Sequence, residues 1–216
     1  KKSSILVIGA GGLGSPALLY LAAAGVNTIG IVDNDTVDLT NLQRQIIHST
    51  HDATLDTKKI TSASTTMTAL NPHINLRLFD THLNRSNVKT IFTSHPWDVV
   101  IDGTDNFPTK YLINDACITH NLPFVYAAVQ GFTGQIALFN HPANPTSYRD
   151  FLPTQPLPGE IPSCAEGGIL GVVPGLMGVM QAAEAIKVIL DLPSPNTGNV
   201  LIYDVVASDF QRIHLT

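Results

Sequence analysis

The chain has 216 residues, a formal net charge of −5 and no basic run, a balance that argues against nucleic acid as its main ligand. Hydrophobic residues make up 44% and charged residues only 13%, below the roughly 25% of ordinary soluble domains, which points to surface buried against a partner subunit. Two distant cysteines, Cys117 and Cys164, exclude a disulfide framework, and with no leader-like start and no apolar stretch expected to span a bilayer, a cytoplasmic protein without a membrane partner is expected.

Ile5-Leu6-Val7-Ile8 reads as a buried strand that runs straight into Gly9-Ala10-Gly11-Gly12-Leu13-Gly14. A helix over 15–24 follows, then a strand over 28–32 that ends on Asp33. This series is a nucleotide-binding fingerprint. Gly9 permits the tight turn, Gly11 lets the backbone approach a phosphate, and Gly14 allows close helix–strand packing. The helix N-terminus offers free N–H groups to an anion. Asp33 stands where a carboxylate can bond a ribose hydroxyl. Taken alone, the series reads as a nicotinamide dinucleotide site.

Further strands are expected over 74–79, 97–101, 123–128, 133–139 and 199–204, and further helices over 57–70, 84–92, 107–120 and 173–190. Pro174 suits the first turn of the last helix. The alternation predicts one α/β domain over 1–216, Rossmann-like, with a mostly parallel sheet covered by helices on both faces. The pair 123–128 and 133–139, joined around Gln130-Gly131-Phe132, predicts an antiparallel extension. Between Asn140 and Gly168 lie six prolines and little periodicity. This run reads as a crossover loop over the ligand edge of the sheet, with a disordered surface insertion as the alternative.

The chemistry-bearing residues follow the strand ends. Asn41, Arg44 and Lys58, soon after Asp33, supply donors suited to a polyphosphate, since Arg44 can bridge two phosphate oxygens and Lys58 is a compact charge. The strand ending at Ile101 leads into Asp102-Gly103-Thr104-Asp105-Asn106, which faces the same crevice as the glycine turn. Asp105 is there a candidate magnesium ligand or the cap of the helix that begins near Asn106.

Gly9 to Gly14, Asp33-Asn34-Asp35, Asn41-Leu42-Gln43-Arg44-Gln45 and Thr104-Asp105-Asn106 together resemble the ThiF/MoeB/HesA family, relatives of the ubiquitin-activating enzymes. Ser163-Cys164-Ala165-Glu166-Gly167-Gly168, Gln181 to Lys187 and Tyr203-Asp204 fit the same family. The resemblance implies an ATP site formed by Gly9, Gly11, Gly12, Gly14, Asp33, Asp35, Thr40, Asn41, Leu42, Gln43, Arg44, Lys58, Asp105 and Asn106, with Mg2+ on Asp105. It implies adenylation of the C-terminal carboxylate of a ubiquitin-like sulfur carrier ending in Gly-Gly, for molybdopterin or thiamine biosynthesis, by a homodimer. Arg44, Lys58 and Asp105 would carry the chemistry.

Cys164 is the candidate for a covalent role, since family members that go beyond adenylation use a cysteine in this region; Cys117 reads as core. Many relatives hold a structural zinc with two Cys-x-x-Cys pairs. Ser147-Tyr148-Arg149-Asp150 stands where the first pair would be, and two distant cysteines cannot supply four thiolates, so no structural zinc is expected. Relatives also place an arginine from a preceding helix into the partner's ATP site, and no such helix precedes Lys1 in the sequence. The alternatives are an NAD-dependent oxidoreductase, supported by the opening fingerprint alone, a catalytically degenerate scaffold of the same family, and a relative acting on a peptide or RNA-bound carboxylate.

Overall fold

The computed structural model describes residues 2–157, 160 and 168–215. Three short strands, β1 (Ser4–Ile8), β2 (Thr28–Asp33) and β4 (Val99–Asp102), are buried almost end to end because their apolar residues do not alternate with polar ones. Such strands need cover on both faces, which parallel crossover units provide. With β3 (Asn75–Asp80), β5 (Phe124–Gln130), β6 (Thr133–Phe139), β7 (Asn199–Asp204) and β8 (Asp209–His214) they form one sheet in the order β3-β2-β1-β4-β5-β6-β7-β8. The first five strands are parallel; β6, β7 and β8 extend the sheet in antiparallel pairing. The β5–β6 hairpin and the mixed sheet are as expected.

Helices α1 (Gly14–Ala23), α2 (Thr50–Thr54), α3 (Lys59–Leu70), α4 (Val88–Thr93), α5 (Phe107–His120), α6 (Tyr148–Phe151) and α7 (Val172–Ile189) surround the sheet. One core, with Leu18, Leu21, Ile31, Met67 and Met177, lies between the sheet and α1, α3 and α7. The other, with Leu6, Trp97, Ile113, Phe124, Phe139 and Tyr148, lies under α4, α5 and α6. Each fully buried Leu, Ile or Phe among them contributes about 1.5–3 kcal/mol through surface withdrawn from water.

The chain leaves β1 for β2 and β3 on one side, then returns for β4 and β5 on the other. The carboxyl ends of β1 and β4 therefore flank a topological switch point, where the diverging crossovers leave a crevice.

Four expectations are corrected. The helix expected over 57–70 begins at Lys59, because Lys58 has an extended backbone at the cap, and α2 precedes it as a separate turn closed by a Ser49–Asp52 capping box. The described part of the run after Asn140 is not structureless: Ser147 and Asp150 form a second capping box around α6, and the Tyr148 ring is buried in the second core. Strand β8 was not expected, since it is exposed along its whole length on the sheet edge and carries no apolar alternation. Finally, α7 is long and apolar enough to cross a membrane by length and composition, contrary to the expectation of no such stretch. Its place against α1, β4, β5 and β6, with Gln181 and Glu184 buried in hydrogen bonds, is that of a core helix.

Candidate nucleotide site

The glycine turn is held by backbone geometry. Gly9 has φ +97° and donates its N–H to Val32 O at 2.8 Å; a Cβ there would lie 2.7 Å from Gly103 O. A Cβ on Gly14 would run into the Gly9 carbonyl, so the start of α1 lies directly on the turn. Asp33 secures the turn from the end of β2: its Oδ2 accepts the Ala10 N–H at 2.8 Å and its Oδ1 accepts the Asp35 N–H at 2.9 Å. Behind it, His48 Nε2 is 2.9 Å from Ala10 O and Nδ1 is 2.8 Å from Ser62 Oγ. A carbonyl can only accept, so the Nε2–H donates to Ala10 O, and Nδ1 shares a hydrogen bond with the Ser62 hydroxyl. Burial lowers the His48 pKa, keeping it the neutral imidazole.

Arg44 reaches the cavity from the loop after Leu39–Asn41, a 3-10 turn capped by Asp38, which accepts from Thr40 N and Oγ1. Its Nη2 donates to Asn41 Oδ1 at 2.7 Å, and the Gln43 amide oxygen, oriented to suit its neighbours, accepts from Nη1 at 2.9 Å. The stem of Arg44 packs on the glycine turn, where a Gly12 Cβ would sit 3.2 Å from Arg44 Cγ. Thr40, Asn41, Leu42 and Gln43 do not themselves line the cavity; they shape and aim the loop that delivers Arg44.

The lysine expected at 58 is displaced by one residue. Lys58 Nζ donates to Asn34 O at 2.6 Å and lies 3.3 Å from Asp80 on the surface, outside the cavity. Lys59 lines the cavity, nearly buried, with Nζ 2.8 Å from Asp35 Oδ2. The reason is helical phase. Lys59 shares the inner stripe with Ala63 and Met67, whereas Lys58 precedes the first helical residue and turns outward. That stripe was a signal already present in the sequence.

The Asp105 turn rests on a buried ion pair that sequence reading missed. Asp102 is fully buried at the end of β4; its Oδ1 accepts Thr104 N at 2.9 Å and Thr104 Oγ1 at 2.6 Å. Lys110, from the inner face of α5, donates to Asp102 Oδ2 at 2.7 Å, Thr104 O at 2.9 Å and Ala127 O at 2.7 Å. Gln181 of α7 donates to Asp102 O at 2.7 Å. The helix cap is Asn106, whose Oδ1 accepts Thr109 N at 3.0 Å, and not Asp105. The Asp105 carboxylate is exposed and takes no hydrogen bond or ion pair among the described residues.

These parts face one cavity of about 720 Å³, in the range of small-molecule sites. Gly9, Gly11, Gly12, Asp33, Asp35, Arg44, Lys59, Asp105 and Asn106 line its polar end, with Gln45, whose buried Oε1 has no partner among the described residues. It continues past Tyr126, Gln130 and Gln135 to Phe151, Leu152 and Leu157, so residues of the 148–157 segment line part of this cavity.

The sequence matches the ThiF family over residues 1–216. The chain belongs to the ThiF family. It is 41% identical to the "Sulfur carrier protein adenylyltransferase" of Thermus thermophilus, covering 99% of this chain and 79% of that protein. It is also 41% identical to the "SAMP-activating enzyme E1" of Haloferax volcanii, covering 98% and 76%. With the "Adenylyltransferase and sulfurtransferase MOCS3" of Anopheles gambiae it shares 41% identity, but spans only 48% of that longer protein. Among solved structures, E. coli MccB with MccA-N7isoASN superimposes with a TM-score of 0.86 at 18% identity, covering 99% of this chain and 64% of MccB, a likeness of fold.

For this ThiF-family chain the oxidoreductase reading loses its ground, since the opening fingerprint was its sole support. Cys164 lies outside the described residues. Cys117 is buried in the second core, where desolvation pushes its thiol pKa up, as a core residue requires. Ser147 and Asp150, named in the sequence reading, are tied to each other, with the Ser147 N–H and hydroxyl both donating to Asp150 Oδ2.

Proposed function

We propose that this ThiF-family chain adenylates the C-terminal carboxylate of a ubiquitin-like sulfur carrier at the expense of ATP. The observation that carries the proposal is the gathering of Arg44, Lys59 and Asp105 around one cavity beside the glycine turn, with an extension beneath the 148–157 segment. The polar end suits a triphosphate and the extension suits an extended peptide tail with small terminal residues, such as Gly-Gly. Relatives named for sulfur carrier and SAMP activation support the same substrate class.

In the proposed reaction a carrier carboxylate oxygen attacks the α-phosphorus, an acyl–phosphate bond forms, and the α–β bridging bond breaks to release pyrophosphate. No protein nucleophile is needed, so positioning and charge stabilisation carry the rate. The glycine turn lets phosphate oxygens approach the N–H groups at the start of α1, and Asp33 keeps acceptor capacity for the ribose. Arg44 and Lys59 offset phosphate charge. Asp105 suits Mg2+, which takes one or two carboxylates along with phosphate oxygens and water; when bound, the ion would neutralise phosphate charge. The proposed assembly is a homodimer, supported by the low charge content and by exposed Leu39, Ile46 and Val172 around the Arg44 loop and the start of α7, and the proposed compartment is the cytoplasm.

ATP–pyrophosphate exchange against a panel of carriers ending in Gly-Gly tests the proposal. Carrier-dependent exchange is expected and should disappear in Asp105→Ala. Absence of exchange with every carrier, together with NAD binding and no ATP binding by calorimetry, would overturn it. Near-normal exchange in Asp105→Ala would remove the metal role alone.

A further inference from the structure

We infer that Lys110 is a positioning residue that sets the place of Asp105, and through it the metal-dependent part of ATP binding. The inference rests on the adenylation reading above. An ammonium group has three N–H donors, and all three of Lys110 are used: on the Asp102 carboxylate, on Thr104 O and on Ala127 O. Lys110 lines the cavity floor but is almost fully buried, so it has no donor left for a phosphate. What it does instead is join β4, the turn after β4, and β5 at one point.

Asp105 depends on that point. Its own carboxylate has no internal partner among the described residues, and therefore its position comes from the backbone on either side. On one side Thr104 is fixed three times: its N–H and hydroxyl on Asp102 Oδ1, its carbonyl on Lys110 Nζ. On the other side Asn106 is fixed as the α5 cap. Lys110 also balances Asp102, and removing it would leave a buried carboxylate uncompensated. The turn would then rearrange to hydrate or protonate Asp102, carrying Asp105 with it.

The test is calorimetric ATP binding with Mg2+ and with EDTA, in wild type, Lys110→Met, Lys110→Arg and Asp105→Ala, each checked for folding by circular dichroism. Wild type should bind ATP about fivefold or more tightly with Mg2+, a normal size for coupling between two ligands. Lys110→Met should lose that increment, as Asp105→Ala does, while keeping its affinity in EDTA. Lys110→Arg should recover part of it, because the charge is kept and the three-way geometry is not. If Lys110→Met does not fold, Thr104→Gly, which removes the hydroxyl bond to Asp102 Oδ1 and loosens the backbone while leaving the Lys110–Asp102 contact in place, should lose the increment instead. A full increment in folded Lys110→Met, or in Thr104→Gly, overturns the inference. So does an equal loss with and without Mg2+, which marks a purely structural lysine. A wild-type chain with no increment overturns this inference and the metal reading together, and one that binds no ATP at all overturns the adenylation reading itself.

Discussion

Asn41 Oδ1 accepts the Arg44 Nη2–H at 2.7 Å, three residues back along the same loop. The loop thus aims its own guanidinium, and the Gln43 amide steadies the other nitrogen. Hydrogen bonds to charged groups contribute about 1.5–3 kcal/mol, less at a half-exposed site such as this one. Asn41→Ala should therefore raise the ATP KM by about fivefold, near 1 kcal/mol, with a smaller change in kcat. Exchange kinetics at varied ATP measure it; an unchanged KM would mean that the Gln43 amide and packing on Gly12 suffice to aim Arg44.

The two adjacent lysines separate cleanly. Lys59→Ala should lower carrier-dependent exchange by about 10²-fold, the usual scale for removing one donor from a site of developing charge. Lys58→Ala, which gives up an exposed contact to Asp80, should stay within about twofold. If Lys58→Ala proves the damaging substitution, the helical phase assigned to α3 does not govern the chemistry.

His48 gives the fold a pH dependence. Burial lowers its pKa from the ordinary 6.5, so the unfolded chain binds a proton more readily than the folded one. Its contribution is fully present above about pH 6.5 and is lost as pH falls through the unfolded value toward the depressed folded one. Urea midpoints should fall between pH 7.5 and 5.5, and His48→Gln should flatten that decline. The carboxylates held low by Ser49 and Arg149, Asp52 and Asp115, act in a more acid window. Equal slopes in wild type and His48→Gln would remove His48 as the cause.

Gly14→Ala places a Cβ against the Gly9 carbonyl, and the turn must shift to admit it. Overpacking of this kind costs about 1–3 kcal/mol. Chemical denaturation should show that loss, with ATP affinity falling in the same variant because the phosphate turn itself moves. Wild-type stability and affinity would show that the α1 start has slack.

Much of the site was legible because it is local. The order strand, glycine turn, helix, strand and acid lies within thirty-odd residues, and steric rules at Gly9 and Gly14 read directly from the string. The Asn41–Arg44 loop and the Asp105-Asn106 turn were likewise found as short motifs. The α3 phase was present as Lys59, Ala63 and Met67, but the reading stopped one residue early, at the cap.

What the sequence determined by itself is the parallel sheet, its crevice and the tight glycine turn beside it, since each follows from apolar runs and backbone freedom over short spans. The fold alone decided that Lys110 of α5 meets Asp102 of β4 and Ala127 of β5, and that Tyr148 turns a proline-rich crossover into part of the core. It also decided that β8 exists. A buried charge is stable only where partners from distant segments converge, and an edge strand only where another strand offers its free hydrogen bonds; neither condition is written in any one stretch of chain.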